Sequence, residues 1–270
     1  MWGIVPAAGI GSRIQPLACS KELLPVGSRR YDGVSRPRAV GEYLLERMIR
    51  GGATRICFVI SPGKSDIIEY FGASYGPAEL AYVVQPRPQG LCDAVFRAAT
   101  VVDPERPVIV GLPDTIWFPD DALAALPDDR LSFLLFPVER PEQFDAVVLD
   151  ANQAVTEIQV KQPDPTSHWI WGAFKMPGAV FTALRALWQA RDCGDEYFGT
   201  LVNAYIAGGG QAIGIKAGEN YADVGTVDGY RAAMNLLAQR TDPREADASA
   251  VATPQDNREE SRGYATDIAR

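Results

Sequence analysis

Residues 2–26 read WGIVPAAGIGSRIQPLACSKELLPV: a short apolar run, Trp2 to Ala8, opens directly into Gly9-Ile10-Gly11-Ser12-Arg13, followed by Pro16, Lys21-Glu22 and Pro25. A strand that ends in such a turn is a phosphate-binding arrangement. Glycines adopt positive φ and let backbone amides approach phosphate oxygens, and a following helical turn would add its N-terminal partial charge. Arg13 and Lys21 supply full charges, a fork for two oxygens and a point charge for one. Two familiar alternatives fail on spacing. A dinucleotide fingerprint requires a third glycine where this chain has Ile14, and no acidic residue ends a second strand at the expected distance. Gly63-Lys64-Ser65 resembles the end of a Walker A loop, but Phe58 stands where that motif needs its first glycine.

Outward from the loop, short strand-like runs alternate with helical patterns. Residues 2–7 read as a strand and 38–50 as a helix, with Val40, Leu44, Leu45 and Met48 on one face and Gly51-Gly52 as its stop. Strands at 55–61, 80–84 and 108–112 alternate with helices at 65–71 and 91–100. That order implies a parallel sheet covered on both sides, with ligands gathering beyond the carboxyl ends of its strands. The opening loop, Gln85-Pro86 and Pro113-Asp114 all fall at that edge. The second half changes character. Strands at 131–137, 146–149 and 155–160, the last two joined by the turn Asp150-Ala151-Asn152-Gln153, predict a hairpin rather than a crossover. Residues 169–175 form a further strand, 179–190 and 197–207 helices, and 211–216 a strand. Thr226 reads as the N-cap of a helix ending near Gln239. One domain over 1–240 is expected, and the polar, aperiodic residues 241–270 read as a disordered or loosely packed tail.

Composition bounds the function. The chain has 270 residues, 47% hydrophobic and 22% charged, enough for a large soluble α/β domain. With a net charge of -8 and no lysine-arginine block, nucleic acid is not an expected partner, and small anions must be met by local cations such as Arg13, Lys21 and Lys161. Cys19, Cys57, Cys92 and Cys193 are scattered without a CxxC pair, so neither a zinc site nor a disulfide framework is expected. His168 is the only histidine, and its turn-rich surroundings predict a solvated loop residue rather than a Ser-His-Asp or Cys-His mechanism. No basic leader precedes the first strand and no apolar run approaches the ~20 residues of a membrane span, so a cytoplasmic protein without a membrane partner is expected.

Several further residues carry chemistry. Asp114 follows the apolar strand 108–112 and Asp223 lies just before a helix start. Taken singly, these are a turn-forming and a helix-terminus aspartate. Together, beside a phosphate loop, they suit magnesium, which prefers a few carboxylate oxygens plus substrate phosphates. Gln85 offers a donor and an acceptor, enough to pair with the imide-like edge of a pyrimidine, and Gly90 leaves room for a base against the backbone. Asp120 and Asp121 begin a helix. Trp169, Trp171 and Phe174 read as core on a strand, with one face free to border a sugar pocket.

These residues, in this order, resemble the sugar-1-phosphate nucleotidyltransferases, over about residues 2–238. The resemblance rests on Gly9-x-Gly11-Ser12-Arg13 with Pro16, Lys21 and Leu24-Pro25-Val26, on Glu42-Tyr43-Leu44-Leu45-Glu46, on Gln85-Pro86 with Gly90, and on Asp114 and Asp223-Val224-Gly225-Thr226. It is closest to the glucose-1-phosphate thymidylyltransferase and UTP-glucose-1-phosphate uridylyltransferase group. The resemblance implies a Rossmann-like three-layer α/β nucleotide-diphospho-sugar transferase fold, with a mostly parallel mixed sheet and an added β-hairpin region. Residues 1–130 would be its nucleotide-binding half and 131–240 its sugar-binding half. It implies a pyrimidine NTP, dTTP or UTP, and a sugar-1-phosphate as substrates, Mg2+ on Asp114 and Asp223, and catalysis by Arg13 and Lys21. Ala8, Gly9, Gly11, Ser12, Gln85 and Gly90 would hold the nucleotide, and Lys161 and Gly172 the sugar phosphate. The family is often homo-oligomeric, and the sequence leaves that open.

Departures lie in the sugar half. Phe144-Asp145 stands where the family usually shows Tyr-Gly, and Val160-Lys161-Gln162-Pro163 where it shows Glu-Lys-Pro. If Pro163 fixes the register, Lys161 occupies the Glu position; a slip of one residue makes it the phosphate ligand, the assignment favoured here. Loss of that Glu leaves open a phosphorylated acceptor other than glucose-1-phosphate, and a non-catalytic nucleotide-binding regulatory protein is the remaining alternative. A glycosyltransferase would want a DxD motif after a mid-chain strand, and Pro113-Asp114-Thr115 offers one acid.

Overall fold

The computed structural model describes residues 1–31 and 33–240; the expected tail, 241–270, lies outside the described residues. In chain order the strands are β1 (Trp2–Pro6), β2 (Pro25–Tyr31), β3 (Val34–Ala39), β4 (Arg55–Ile60), β5 (Ser74–Tyr75), β6 (Ala78–Val84), β7 (Val108–Gly111), β8 (Thr115–Phe118), β9 (Leu131–Pro137), β10 (Asp145–Leu149), β11 (Val155–Val160), β12 (Trp169–Met176), β13 (Ala212–Ile215) and β14 (Asn220–Asp223). The α-helices are α1 (Val40–Arg50), α2 (Ser65–Phe71), α3 (Gly90–Arg97), α4 (Gly178–Ala190), α5 (Phe198–Ala207) and α6 (Val227–Arg240).

A ten-stranded mixed sheet runs β11-β10-β12-β7-β1-β4-β6-β5, with β9 and β13 joined through β12. Its first-half strands β7, β1, β4 and β6 are mutually parallel. In the second half, β12 runs antiparallel to β7, β9 and β10, and β10 and β11 form the expected hairpin. Alternation along the buried strands sends successive side chains into two cores. Ile4, Cys57, Val59 and Val108 enter one with residues of α3, α4 and α5; Val5, Ile56, Phe58 and Ile109 enter the other with residues of α1 and α2. Helices on both faces of the sheet make three layers.

Helix α1 illustrates why these residues take these forms. Val40, Leu44, Leu45 and Met48 recur at helical spacing and are fully buried. Gly52 ends the turn at φ +96°, a conformation that glycine adopts without strain. At α6, the Thr226 hydroxyl accepts from the Gly229 amide at 3.0 Å, the expected N-cap. In β12 a bulge between Trp171 and Ala173 breaks strict alternation, so Trp171 and Phe174 enter the same core in an edge-on contact at 5.6 Å. Both aromatics are core residues.

Two small sheets were not expected from sequence: the hairpin β2-β3, and β8 paired antiparallel with β14. A third cluster, including Val26, Val40, Ile116, Val224 and Ala233, packs α6 and these strands together. The opening loop also differs from expectation. It closes in a single turn, Ile14 N–H to Gly11 carbonyl at 3.0 Å, and the next helical segment is the short 3-10 turn Lys21–Leu23. Charge at this loop therefore comes from side chains rather than from a helix dipole. Asp121 precedes the 3-10 turn Ala122–Ala125, whereas Asp120 pairs with the buried Arg47 at 2.8 Å.

Candidate active site

The loop after β1 lies where the parallel strands end. Gly11 has φ +68°, and a Cβ there would sit 2.8 Å from Lys21 Cδ; one at Gly9 would lie 3.9 Å from Lys21 Nζ. The lysine stem thus lies across the glycines, and side chains on the loop would displace it. Lys21 Nζ meets Asp114 Oδ2 at 2.5 Å. Burial works against the ammonium, but Asp114 outweighs it, with smaller help from Glu22 and Asp223, so the Lys21 pKa is raised and the group stays charged.

A loop placed this carefully needs its own support. Lys64, in the segment that mimics a Walker motif, donates to the Ala7 carbonyl at 2.6 Å and to both Glu22 oxygens at 2.8 Å. Glu22 is fully buried, which raises its pKa against the opposing pull of Lys64 and Lys21. Asp66 accepts from the Ser20 amide and hydroxyl at 2.6 and 2.7 Å. Both ends of the loop are therefore pinned to the start of α2. Sequence reading missed the structural roles of Lys64, Glu22 and Asp66, because their pairing joins segments about forty residues apart.

The second carboxylate arrives from far along the chain. Pairing of β14 with β8 sets Asp223 opposite Thr115, next to Asp114, and the Val224 amide donates to the Asp114 carbonyl at 2.8 Å. Asp223 Oδ1 accepts from the Gly225 amide at 2.7 Å, and Oδ2 lies 3.3 Å from Arg13 Nη2. A methyl placed on Gly225 would fall 2.8 Å from Asp223 Oδ1, 3.2 Å from Arg13 Nη2 and 3.4 Å from Asp114 Oδ2. Arg13, Lys21, Asp114 and Asp223 therefore meet around one point. Among the described residues no group of three or more His, Cys, Asp or Glu forms a metal cluster. Two carboxylates leave the remaining positions to water and substrate phosphate, the donor set that Mg2+ takes.

Gln85 is buried at the end of β6. Its Nε2 donates to Asp93 Oδ2 at 2.7 Å and to the Gly90 carbonyl at 3.2 Å. Both partners are acceptors, so the amide orientation is fixed and Oε1 is the end left free. Gly90, at φ +86°, packs against Glu196; a Cβ would come within 2.5 Å of the Glu196 carbonyl oxygen. Ala8 is buried beneath the loop and Ser12 is exposed.

In the second half the structure brings Lys161 to Asp145 across the hairpin, where Asp145 pairs with Val160. Lys161 has φ +48°; its Nζ donates to the Gln143 carbonyl at 3.1 Å and stands 3.8 Å from Asp145 Oδ1. Burial raises the Asp145 pKa, opposed by Lys161. Gly172 is a packing site: an added Cβ would strike the rings of Phe136 and Tyr221 at 2.5 and 2.8 Å. Tyr221 connects the halves. Its partly buried phenol is held far above its ordinary pKa by burial first and then by Asp223, Asp114 and Asp145, and it therefore stays a neutral donor. Its position in Asn220-Tyr221-Ala222-Asp223, two residues before the acid, was the available signal. His168 is exposed on its loop, and all four cysteines are free.

This geometry belongs to a nucleotide-transferring α/β domain, and the family match agrees: the nucleotidyl transferase model covers residues 2–240. The chain belongs to that family. Among curated relatives, a glucose-1-phosphate thymidylyltransferase of Mycolicibacterium smegmatis is 27% identical, spanning 88% of this chain and 82% of its own. A UTP-glucose-1-phosphate uridylyltransferase of Haloferax volcanii is 23% identical over 89% of this chain and 98% of its own. Among solved structures, a UTP-bound UGPase from Acinetobacter baumannii shares the fold with a TM-score of 0.70 at 20% identity, covering 87% of this chain and 92% of its own. No helix among the described residues is long and apolar enough to cross a membrane.

Proposed function

We propose that the chain transfers the nucleotidyl group of dTTP or UTP to a sugar-1-phosphate, forming an NDP-sugar and releasing pyrophosphate. The observation that carries this reading is the meeting of Arg13, Asp114 and Asp223 around Gly225, with Lys21 on Asp114. The thymidylyl- and uridylyltransferase relatives support a pyrimidine nucleotide. A sugar-phosphate oxygen attacks the α-phosphorus. The new P–O bond forms as the bond to the bridging oxygen breaks, and pyrophosphate leaves with that electron pair. No protein nucleophile is needed; the tasks are to align two anions and to offset charge on the five-coordinate phosphorus.

Backbone amides of Gly9, Gly11 and Ser12 and the side chains of Arg13 and Lys21 would receive the triphosphate. The raised pKa of Lys21 keeps it cationic for that role. Gln85 Oε1 would accept from the pyrimidine N3–H, its amide held by the Gly90 carbonyl and Asp93; Gly90 itself packs against Glu196 and leaves no room for the base on that side. Asp114 and Asp223 would hold Mg2+, which when bound polarises phosphoryl oxygen as a Lewis acid. Lys161 would meet the acceptor phosphate by exchanging the Gln143 carbonyl for a phosphate oxygen. The buried Asp145 beside it would accept from a hydroxyl or ammonium of the acceptor.

Pyrophosphate release across a panel of NTPs and sugar-1-phosphates, with and without Mg2+, tests the reading. Release is expected with dTTP or UTP and one acceptor. If no pair releases pyrophosphate while UTP or dTTP still binds, transfer is not the function.

A further inference from the structure

A groove of about 360 Å³ opens where the end of β6 meets α3 and α4. Val83, Val84, Phe96 and Trp188 give it an apolar floor, and Arg97 and Arg185 stand at its rim. None of Arg13, Lys21, Asp114 or Asp223 lines it. Its volume lies within the range of small-molecule sites, which begins at roughly 300 Å³. The floor is apolar but not flat: the largely buried rings of Phe96 and Trp188 are tilted by 36° with centroids 5.4 Å apart, and Val84, 48% exposed, is the most open apolar side chain.

The polar groups of the groove favour an anion. Arg185 is exposed on α4 and has no ion-pair partner among the described residues. Among the described residues Arg97 donates only through Nε, to Asp93 at 2.7 Å, which leaves its two terminal nitrogens for a ligand. The Trp188 indole N–H is buried and has no hydrogen-bond partner among the described residues. Asp93 is the one acid in the lining, and its Oδ2 already accepts two hydrogen bonds. Two guanidinium forks above an apolar floor suit a phosphate group carried on a small apolar body.

The groove also adjoins the candidate active site at Gln85, which follows Val84 in the chain and bonds to Asp93. Asp93 Oδ2 accepts from Arg97 Nε and from Gln85 Nε2, each at 2.7 Å. An anion on the free end of Arg97 draws its charge away from Asp93. Asp93 then holds the Gln85 amide more strongly, fixing Oε1 for the base. We propose that this groove binds a small organic phosphate and that its occupancy tightens nucleotide binding through Arg97, Asp93 and Gln85. The coupling rests on the proposed function; the existence of the site does not.

Titration calorimetry on the full chain with phenyl phosphate tests the site. Saturable binding is expected, weakened about tenfold or more by Arg185→Glu, an exposed position on which folding does not depend. Absence of binding at about 10 mM phenyl phosphate, or equal affinity in Arg185→Glu, overturns the site. For the coupling, saturating phenyl phosphate is expected to tighten UTP binding about threefold in the wild type and not in Arg97→Gln. Unchanged or weaker UTP binding overturns the coupling. If UTP fails to bind with or without the probe, the proposed function falls, and the phenyl phosphate titration still decides the groove.

Discussion

Lys21 and Lys161, the two lysines assigned to phosphate, are held in different ways. Lys21 lies across Gly9 and Gly11 with a side chain 15% exposed, 2.5 Å from Asp114, on a loop that Lys64, Glu22 and Asp66 tie down. Lys161 is 50% exposed on a left-handed residue, bonded to one carbonyl at 3.1 Å and 3.8 Å from its carboxylate. The glycine loop has its charges held in place, as electrostatic preorganisation requires. The acceptor half leaves its cation room to re-aim. A reaction common to many acceptors is best served by that division, with fixed geometry where the chemistry is shared and slack where the substrate varies.

Predictions about the two halves divide accordingly. Asp114→Asn and Asp223→Asn should each lower turnover about 10³-fold with the circular dichroism spectrum unchanged. Near-normal pyrophosphate release in the Asp223 variant would show that the preorganised cluster is smaller than drawn. Lys64→Met leaves the Glu22 carboxylate buried and unpaired, at a cost of about 3 kcal/mol in urea unfolding. Adding Glu22→Gln should recover part of that loss, and full additivity would mean that the pair is not coupled.

On the acceptor side the effects should be smaller and confined to one substrate. Lys161→Ala is expected to raise KM for the sugar phosphate about tenfold while leaving KM for the nucleotide unchanged. A shift in both would show that the hairpin belongs to the rigid half. The smallest effect is a pH trend. Burial raises the Asp145 pKa in the folded chain, with Lys161 opposing, so its stabilising contribution is full below the unfolded value and is lost as pH rises through the folded one. The Tm of the wild type minus that of Asp145→Asn should therefore fall with rising pH. The opposite slope would reveal a tight Lys161–Asp145 pair like the one at Lys21.

Much of this was legible in the sequence, for local reasons. The helical spacing of Val40, Leu44, Leu45 and Met48, the Thr226 cap and the 150–153 turn depend on neighbours, and each element stands where that pattern placed it. The loop glycines, Gln85, Asp114 and Asp223 were visible as residues at strand ends. What was not visible depends on distant pairing. The strands β2 and β3 carry PVGSRRY and VSRPRA, charged sequences without a clear apolar alternation. Their arginines instead reach the fully buried Glu42, Arg29 at 2.9 Å and Arg38 at 3.8 Å. Lys64 stood out only as part of a motif that Phe58 breaks, and its structural role was hidden because its partner, Glu22, lies far away in sequence. Asp93 gave no sign that it orients Gln85, since an aspartate four residues before an arginine reads as an ordinary helix pair.

The pairing of β14 with β8 also sets an order in time. A growing chain that has reached only α5 already holds the glycine loop, Arg13, Lys21 and Asp114, but it lacks the strand that delivers Asp223. The two carboxylates can therefore meet only after nearly all of the described chain has been made.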